Sequence, residues 1–312
     1  MKNKPYRHVF SGLLEVFQRL IQILPWSAAV WVGAWAGGIA YGVLRRDRTR
    51  TLEHLRLAFG GEKSEKELRG IARNVFMNLG RNAAEALSFP KLDERRLDRL
   101  VSEEGVDGIR TCVRQGRGAV LVTAHLGNWE MVGAYGSLKQ FPLYVLARRL
   151  YFEGYERMAE RLRHGVHVRA IDRDASFTQM VRLLREGNLI GLLPDQDVDS
   201  LDGVFVKFFG QPAYTPIGPV ALAMTAGVPI FPIYIVRMGH DRHRIFCQTP
   251  MEMVRTGDRL KDLAENTRRW SEVTESFIRR FPNQWVWMHR RWKTQPSQKP
   301  SVPNLALQAA QA

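Results

Sequence analysis

The chain has 312 residues, which is enough for one large domain or two modest ones with a full hydrophobic core, and this length excludes a mini-protein. Its 46 Lys and Arg residues against 31 Asp and Glu give a formal net charge of +15, which predicts anionic partners: nucleic acid, an anionic membrane face, or phosphorylated or carboxylated substrates. The two cysteines, Cys112 and Cys247, have no C-x-x-C spacing, which disfavours a disulfide scaffold or a zinc module.

The N-terminal part contains an uncharged apolar run, residues 23–44, that is flanked on its C-terminal side by four arginines. About 20 apolar residues suffice to span a bilayer, so the run predicts a retained membrane anchor. A cleaved signal peptide fits poorly because the run starts late and is followed by arginines. A buried core helix and a helix lying in the membrane plane fit the same pattern. The arginine cluster predicts a body on the cytoplasmic side of the membrane.

Three regions follow from this pattern. We expect residues 1–60 to form the anchor and its basic flank, residues 61–294 to form the globular body, and residues 295–312, rich in Pro, Gln and Ala, to be a disordered tail. Between anchor and body, residues 64–86 have a helical pattern that opens with Ser64 and Glu67 at the spacing of a capping box.

Beyond residue 102, short β-rich runs alternate with amphipathic helical stretches. The predicted strands are residues 119–124, 143–147, 167–171, 189–193, 204–208, 229–236 and 244–248. The predicted helices are residues 105–114, 128–138, 155–163, 176–185, 217–225 and 259–280. This alternation predicts an α/β fold with a mixed, largely parallel central sheet flanked by helices.

One segment stands out for chemistry: V-T-A-H-L-G-N-W-E-M, residues 122–131, in which an apolar strand ends at His125 and a helix opens near Asn128. Open α/β sheets bind ligands outside the carboxyl ends of their strands, so this position suits a reactive side chain. The chain lacks G-x-S-x-G, Walker A, G-x-G-x-x-G and H-E-x-x-H motifs, which removes the usual support for hydrolase, nucleotide-binding and zinc-protease interpretations.

The spacing of residues 125–130 predicts a general base at His125. Gly127 permits a tight turn, Asn128 is placed to cap the helix, and Glu130 in the first turn is expected to reach one nitrogen of His125. A carboxylate on one imidazole nitrogen fixes the tautomer and leaves the other nitrogen to take a proton from a substrate hydroxyl that attacks an acyl carbonyl. A structural histidine with a satisfied ring fits the same spacing. His167 and Asp172 also match H-x4-[DE], but in a strand that offset places side chains on opposite faces, so we interpret this pair as structural.

Five blocks together resemble the bacterial lipid A biosynthesis acyltransferases, the lauroyl/myristoyl family, and they occur in family order. They are HLGNWE (125–130), IDRD (171–174), GLLPDQD (191–197), GVFVKFFG (203–210) and FPNQWVWMHRRWK (281–293). The resemblance implies a glycerolipid-acyltransferase-like fold behind an N-terminal membrane-anchoring helix, with an acyltransferase domain over residues 61–294. It also implies transfer of a fatty acyl chain, usually from acyl carrier protein, to a hydroxyl of a lipid A precursor at the cytoplasmic face of the inner membrane.

The resemblance also assigns residues. His125 corresponds to the family's catalytic base and Glu130 to the acid that orients it. Asp195 aligns with a functional acidic position and is expected to bind substrate, with a turn or cap role as the alternative. Arg161 is the best match to a family arginine near the active site, with Arg148, Arg149 and Arg163 as competitors and a solvated helix face as the alternative.

The last two blocks have less specific roles. In GVFVKFFG, alternating side chains fit either an acyl-chain slot or an edge strand, and Lys207 replaces the proline expected there. In QWVWMHRRWK, we expect Arg290 and Arg291 to contact anionic headgroups or acidic carrier protein, together with three tryptophans for which core packing is the alternative: Trp285, Trp287 and Trp292.

The expected partners are therefore acyl carrier protein, whose acidic surface suits a basic body, a lipid A precursor, and the membrane. We expect no metal or organic cofactor, because deprotonation of a hydroxyl and an activated thioester are sufficient chemistry. Acyltransfer to another glycolipid or a glycerophospholipid is the alternative, and a non-catalytic, basic, membrane-tethered binding module is a further one. We expect no nucleic-acid partner, since no nucleic-acid motif accompanies the charge.

Overall fold

Three helices form the N-terminal part of the computed structural model, which describes residues 18–147, 160–172 and 175–299. They are α1 (Trp26–Val43), α2 (Arg45–Phe59) and α3 (Glu65–Leu87). The predicted capping box is confirmed: the Ser64 hydroxyl accepts from the Glu67 amide, and the Glu67 carboxylate accepts from the Ser64 amide.

Helix α1 packs along α3 at glycine positions. A Cβ atom added to Gly80 would lie 2.0 Å from the carbonyl oxygen of Gly33, and one added to Gly37 would lie 2.2 Å from that of Phe76. Only glycine permits this approach of two helix backbones. Within the described ranges, no helix is by itself long and apolar enough to cross a bilayer; α1 and α2 meet the criterion only together, and they meet at a 90° bend. The membrane-anchoring helix therefore stays a prediction.

The body is a seven-stranded sheet with helices on both faces. Its strands are β1 (Val101–Glu104), β2 (Ala119–Val122), β3 (Leu143–Ala147), β4 (Arg169–Asp172), β5 (Leu189–Leu192), β8 (Ile230–Arg237) and β9 (His243–Cys247). The strand order is β1-β9-β8-β2-β5-β3-β4, and β8–β9 is the antiparallel pair among the six pairings. The prediction of a mixed, largely parallel sheet is confirmed. A separate antiparallel hairpin is formed by β6 (Gly203–Phe208) and β7 (Gln211–Pro216).

The remaining helices are α4 (Glu94–Leu100), α5 (Asp107–Arg114), α6 (Trp129–Leu138), α7 (Phe177–Arg185), α8 (Gly218–Ala226) and α9 (Arg259–Arg280), with a short 3-10 helix at Phe89–Lys91. Strand β2 lies at the centre and is buried on both faces. Val120 and Val122 join a core cluster with α7 and α8, whereas Leu121 joins a cluster with α5 and α6. Two-sided burial of this kind is typical of parallel sheets.

Two strands, β1 and β7, were not predicted from the sequence, and the start of β4 differs from its predicted position. β1 reads V-S-E-E and buries only its first residue, and β7 carries two prolines, which a two-stranded hairpin tolerates. β4 begins two residues later than predicted because His167 adopts a left-handed φ of 57° in the preceding turn. Most of the predicted helix 155–163 and most of the tail 295–312 lie outside the described residues.

Candidate active site

Two side chains meet at the carboxyl ends of neighbouring strands. In the parallel β2–β5 pair, Val122 lies opposite Leu192, and His125 and Asp195 each follow three residues after these partners. The shared offset brings both to the same edge of the sheet. The Nδ1 atom of His125 lies 2.7 Å from Oδ1 of Asp195, and the backbone N–H of His125 donates to Oδ2 at 2.9 Å.

Asp195 is buried, with an exposed fraction of 1%, and its other hydrogen bond comes from the indole N–H of Trp285 at 2.8 Å. Burial alone would raise the pKa of this carboxyl, but the facing His125 and the three donors outweigh it and lower the pKa to about 2. An ionised carboxylate only accepts hydrogen bonds, so Nδ1 of His125 carries a hydrogen, and the lone pair of the neutral ring is then on Nε2. The side chain of His125 is 19% exposed, which leaves the ring in contact with solvent.

The prediction that Glu130 contacts the His125 ring is wrong. Helix α6 begins at Trp129, so Glu130 projects from its first turn, where the Glu130 carboxylate lies 3.3 Å from Nη2 of Arg163. Asp195, which the resemblance marked only as a functional acid, occupies the place predicted for Glu130. Asp195 accepts three hydrogen bonds, two of them from His125, so its carboxylate is placed to position that ring. Its expected role in substrate binding stays a prediction.

The loop after His125 is held by the C-terminal segment. The amide of Gly127 donates to the Gln284 carbonyl at 3.1 Å, and the amide of Val286 donates to the His125 carbonyl at 3.1 Å. Gly127 has a φ of 60°, and a Cβ atom there would lie 2.0 Å from the Ile235 carbonyl oxygen. The first and last family-like blocks therefore meet at one site.

Beneath this loop lies a buried polar network. Asn128, which we expected to cap α6, donates instead to Glu85 at 2.7 Å, and the guanidinium of Arg237 makes two 2.7 Å contacts with the same carboxylate. Burial by itself would raise the pKa of Glu85, but the His243 ring and Arg237 outweigh it and lower the pKa to about 2. Asn82 completes the network by donating to the carbonyl of Gly127 at 2.6 Å.

Two polar side chains that sequence reasoning missed face His125 from the open side. The amide nitrogen of Gln196 lies 3.0 Å from Nε2 of His125 and 2.8 Å from Nε2 of His289. Burial and the nearby His125 lower the pKa of His289 to about 4, so the ring is neutral at neutral pH. Both residues lie inside blocks that carried the resemblance, and their proximity to predicted site residues was the available signal.

The arginines predicted from the sequence lie in different environments. Arg161 is exposed in the helical segment 160–164, and its competitor Arg163 pairs with Glu130. Arg148 and Arg149 lie outside the described residues. Arg290 is exposed, and its contact role stays a prediction.

Part of the C-terminal block is internal. Arg291 is 1% exposed and donates to the Tyr214 carbonyl and the Thr215 hydroxyl, so it stabilises β7 and is not placed to meet a headgroup as we expected. Trp285 and Trp287 are also buried, which selects core packing over surface docking for these two tryptophans.

Comparison with known proteins decides the family. The model of the bacterial lipid A biosynthesis acyltransferases matches residues 3–294. The chain belongs to this family. It is therefore an acyltransferase by descent, and the resemblance in the five blocks is confirmed.

Curated relatives agree with this membership. The chain is 26% identical over 275 residues to the lipid A biosynthesis palmitoleoyltransferase of Escherichia coli, covering 88% of this chain and 87% of that protein. It is 28% identical over 288 residues to the lipid A biosynthesis lauroyltransferase of the same organism, covering 90% of each. It is also 30% identical over 163 residues to the phosphatidylinositol mannoside acyltransferase of Mycobacterium tuberculosis, covering 50% of this chain and 51% of that protein.

Proposed function

We propose that this acyltransferase moves a fatty acyl chain from acyl carrier protein to a hydroxyl of a lipid A precursor, with His125 as general base and Asp195 as the residue that positions it. The observation that carries the proposal is the 2.7 Å contact between Nδ1 of His125 and a buried, ionised Asp195 beside a ring that reaches solvent. This arrangement supports the base that we expected from sequence, with Asp195 in place of Glu130 as its partner.

The proposed reaction needs no covalent enzyme intermediate. Nε2 of His125 takes the hydroxyl proton as the hydroxyl oxygen attacks the thioester carbonyl carbon, and the Asp195 carboxylate stabilises the imidazolium that forms. The tetrahedral oxyanion then collapses, the carbon–sulfur bond breaks, and the leaving thiolate takes the proton from Nε2. The products are an ester and the free thiol of the donor. Helix α6 begins four residues after His125, so the positive end of its dipole favours the oxyanion.

Family membership and the names of the two E. coli relatives support a lipid A precursor as acceptor. The formal net charge of +15 supports acyl carrier protein as donor, because an acidic carrier is steered toward a basic enzyme. The mannoside acyltransferase relative favours a second candidate, in which the acceptor is another envelope glycolipid with a free hydroxyl.

We also propose that α1 holds the enzyme on the cytoplasmic face of the inner membrane. Four large apolar side chains project from α1 at intervals of four residues and are 47–70% exposed: Trp31, Trp35, Ile39 and Val43. The opposite face of α1, with Gly33 and Gly37, packs on α3. Arg45 and Arg46 follow directly and suit anionic headgroups.

Flotation with vesicles of neutral and anionic phospholipid tests the membrane proposal. A Trp31→Ser/Trp35→Ser variant should lose most vesicle binding, whereas Phe177→Ser, which removes a 39% exposed aromatic from α7, should not. Equal binding by all three proteins would contradict it.

The catalytic proposal is tested with purified acyl carrier protein thioester, lipid A precursor and mass spectrometry of the lipid. The wild-type chain should add one fatty acyl mass to the precursor. His125→Ala should abolish the gain, and His164→Ala, at an exposed histidine, should leave it unchanged. Normal product formation by folded His125→Ala would refute the assignment.

A further inference from the structure

A stripe of basic side chains runs along helix α2 toward the active site. Arg46, Arg50 and His54 are spaced four residues apart and therefore share one face of the helix. At a rise of about 1.5 Å per residue, the stripe spans roughly 12 Å. Arg46 lies three residues after Val43, where the exposed apolar face of α1 ends. The stripe therefore leads from the proposed membrane surface to the body.

The inner part of the stripe contacts the chain segment that borders the catalytic ring. Nη1 of Arg50 donates to the carbonyl oxygen of Met288 at 3.4 Å. The next residue is His289, whose ring centroid lies 5.2 Å from that of His125. Arg290 follows and is exposed. Two guanidinium groups, those of Arg50 and Arg290, are thus attached to one short segment beside the site.

His54 holds α2 against this segment without adding charge. Its Nδ1 lies 2.7 Å from the carbonyl oxygen of Trp287, and because a carbonyl only accepts, Nδ1 carries a hydrogen. Burial is the largest cause that lowers the pKa of His54, and the positive charge of Arg50 lowers it further, so the ring is neutral at neutral pH. The arginines are the cations of the stripe.

These arginines keep free hydrogen-bond donors. Over the described ranges, neither Arg46 nor Arg290 has an acidic side chain within 4 Å, and Arg50 has Asp47 at 3.8 Å. A guanidinium carries five N–H donors, and the contacts of Arg50 with Asp47 and with Met288 both use Nη1. Its Nε and Nη2 donors therefore meet no acceptor among the described residues. This pair of donors is the fork that binds two oxygens of one anion.

From this geometry we infer, building on the proposed function, that Arg50 and Arg290 bind a phosphate group of the lipid acceptor, with Arg46 leading it in from the membrane surface. A guanidinium fork matches two phosphate oxygens with parallel, charge-assisted hydrogen bonds. A phosphate held there fixes one part of the lipid, so that a hydroxyl elsewhere on the same molecule reaches His125. The site thereby selects phosphorylated glycolipids.

The direction of the stripe favours the acceptor over the donor as the source of the phosphate. The acceptor is a lipid and stays at the membrane, where the exposed face of α1 and then Arg46 meet it first. The carrier protein is soluble and has no need of a path along α2. We therefore assign the two arginines to the acceptor.

Two matched acceptors test the inference: a phosphorylated lipid A precursor, and the same lipid after enzymatic removal of its phosphates. With the phosphorylated acceptor, Arg50→Ala and Arg290→Ala should each lower kcat/KM about 10-fold, the size expected for a hydrogen bond to a charged group. The dephosphorylated lipid should react about as slowly with the wild type as with the variants. The KM for the donor thioester should not change.

Two further variants sharpen the comparison. Arg50→Lys keeps the charge but loses the fork, so its kcat/KM with the phosphorylated acceptor should lie between those of the wild type and Arg50→Ala. Arg259→Ala removes an exposed arginine at the start of α9, beside Thr225 and close to the amino end of β8, and should not alter the preference for phosphate. Because Arg290 is exposed and unpaired within the described ranges, its variant reports on binding without disturbing the fold.

Three results would overturn the inference. An equal loss with both acceptors would indicate general damage to the site. A rise in the KM for the donor alone would assign the arginines to the carrier protein. Loss of flotation with anionic vesicles, together with an unchanged kcat/KM for detergent-dispersed phosphorylated acceptor, would assign them to bulk membrane phospholipid.

The outcomes also separate this inference from the proposed function. Loss of transfer in His125→Ala with unchanged kcat/KM in Arg50→Ala and Arg290→Ala would overturn the phosphate site and leave the proposed base intact. Retention of transfer in folded His125→Ala would refute the base whatever the arginine variants show. A wild-type chain that acylates neither lipid would overturn both.

Discussion

Replacing Asp195 by asparagine should be more damaging than any change at Glu130. Oδ2 of Asp195 accepts from two fixed donors, the His125 amide at 2.9 Å and the Trp285 indole at 2.8 Å. An asparagine in this place keeps its oxygen on those two donors and turns its NH2 group toward Nδ1. The ring must then place its hydrogen on Nε2, which removes the base.

The expected loss of kcat in Asp195→Asn follows from the role of Asp195 in orienting the general base. General-base catalysis contributes about 10²- to 10⁴-fold, and an Asp-to-Asn change that imposes the wrong tautomer costs about 10⁴-fold in a serine protease triad. We therefore expect Asp195→Asn to lower kcat roughly 10³-fold. Glu130→Gln should cost less than about fivefold, because the Glu130–Arg163 pair is partly exposed and such pairs contribute at most about 1 kcal/mol.

The assay is acyl transfer from carrier-protein thioester to a lipid A precursor, with thermal unfolding as a check that each variant is folded. A severe loss in Glu130→Gln together with a mild one in folded Asp195→Asn would refute this reasoning, because the orienting carboxylate would then be the one that the sequence suggested.

Three further predictions concern stability. Arg237→Met should lower the free energy of unfolding by about 3–5 kcal/mol in denaturant titrations, since it leaves a buried carboxylate without its bidentate partner; a change below about 1 kcal/mol would contradict this. Gly80→Ala should destabilise the chain by about 1–3 kcal/mol, because the added methyl meets a helix backbone. Gly70→Ala in the same helix meets no atom within 4 Å and should be neutral or stabilising. Equal denaturation midpoints for the two variants would contradict the close packing. Because the pKa of His289 is about 4 folded and 6.5 unfolded, the unfolded chain binds more protons between these values, so stability should fall as pH drops from 6.5 to 4. His289→Gln should remove that component, and an unchanged pH dependence would contradict it.

Many strands and helices of the body were predictable because the periodicity of apolar residues in the sequence indicates which side chains are buried. The strand at residues 143–147 and the helix at residues 259–280 have the predicted bounds. The strand is a short apolar run between Pro142 and Arg148, and the helix lies between Gly257 and Pro282. β1 was not predictable, because it pairs at the sheet edge and buries one residue, so nothing in V-S-E-E alternates. β7 was not predicted because its two prolines disfavour a strand in the interior of a sheet, whereas in the described residues it pairs with β6 in a hairpin.

In the site, sequence reasoning located His125 and Asp195 but joined His125 to the wrong acid. A spacing of five residues is visible in the sequence, whereas the partnership across β2 and β5 depends on strand order and register. Had the two strands been assumed adjacent and parallel, their common three-residue offset would have paired His125 with Asp195. Arg291 was misplaced for a related reason, because a basic run does not show which of its members turns inward.

The tautomer of His125 is the central claim, and nitrogen NMR of protein labelled with ¹⁵N-histidine measures it directly, with His125→Ala identifying the resonances. In the neutral ring, the hydrogen should be on Nδ1 in the wild-type protein and on Nε2 in Asp195→Asn. A wild-type ring with its hydrogen on Nε2, or a ring whose shifts do not respond to Asp195→Asn, would contradict the account.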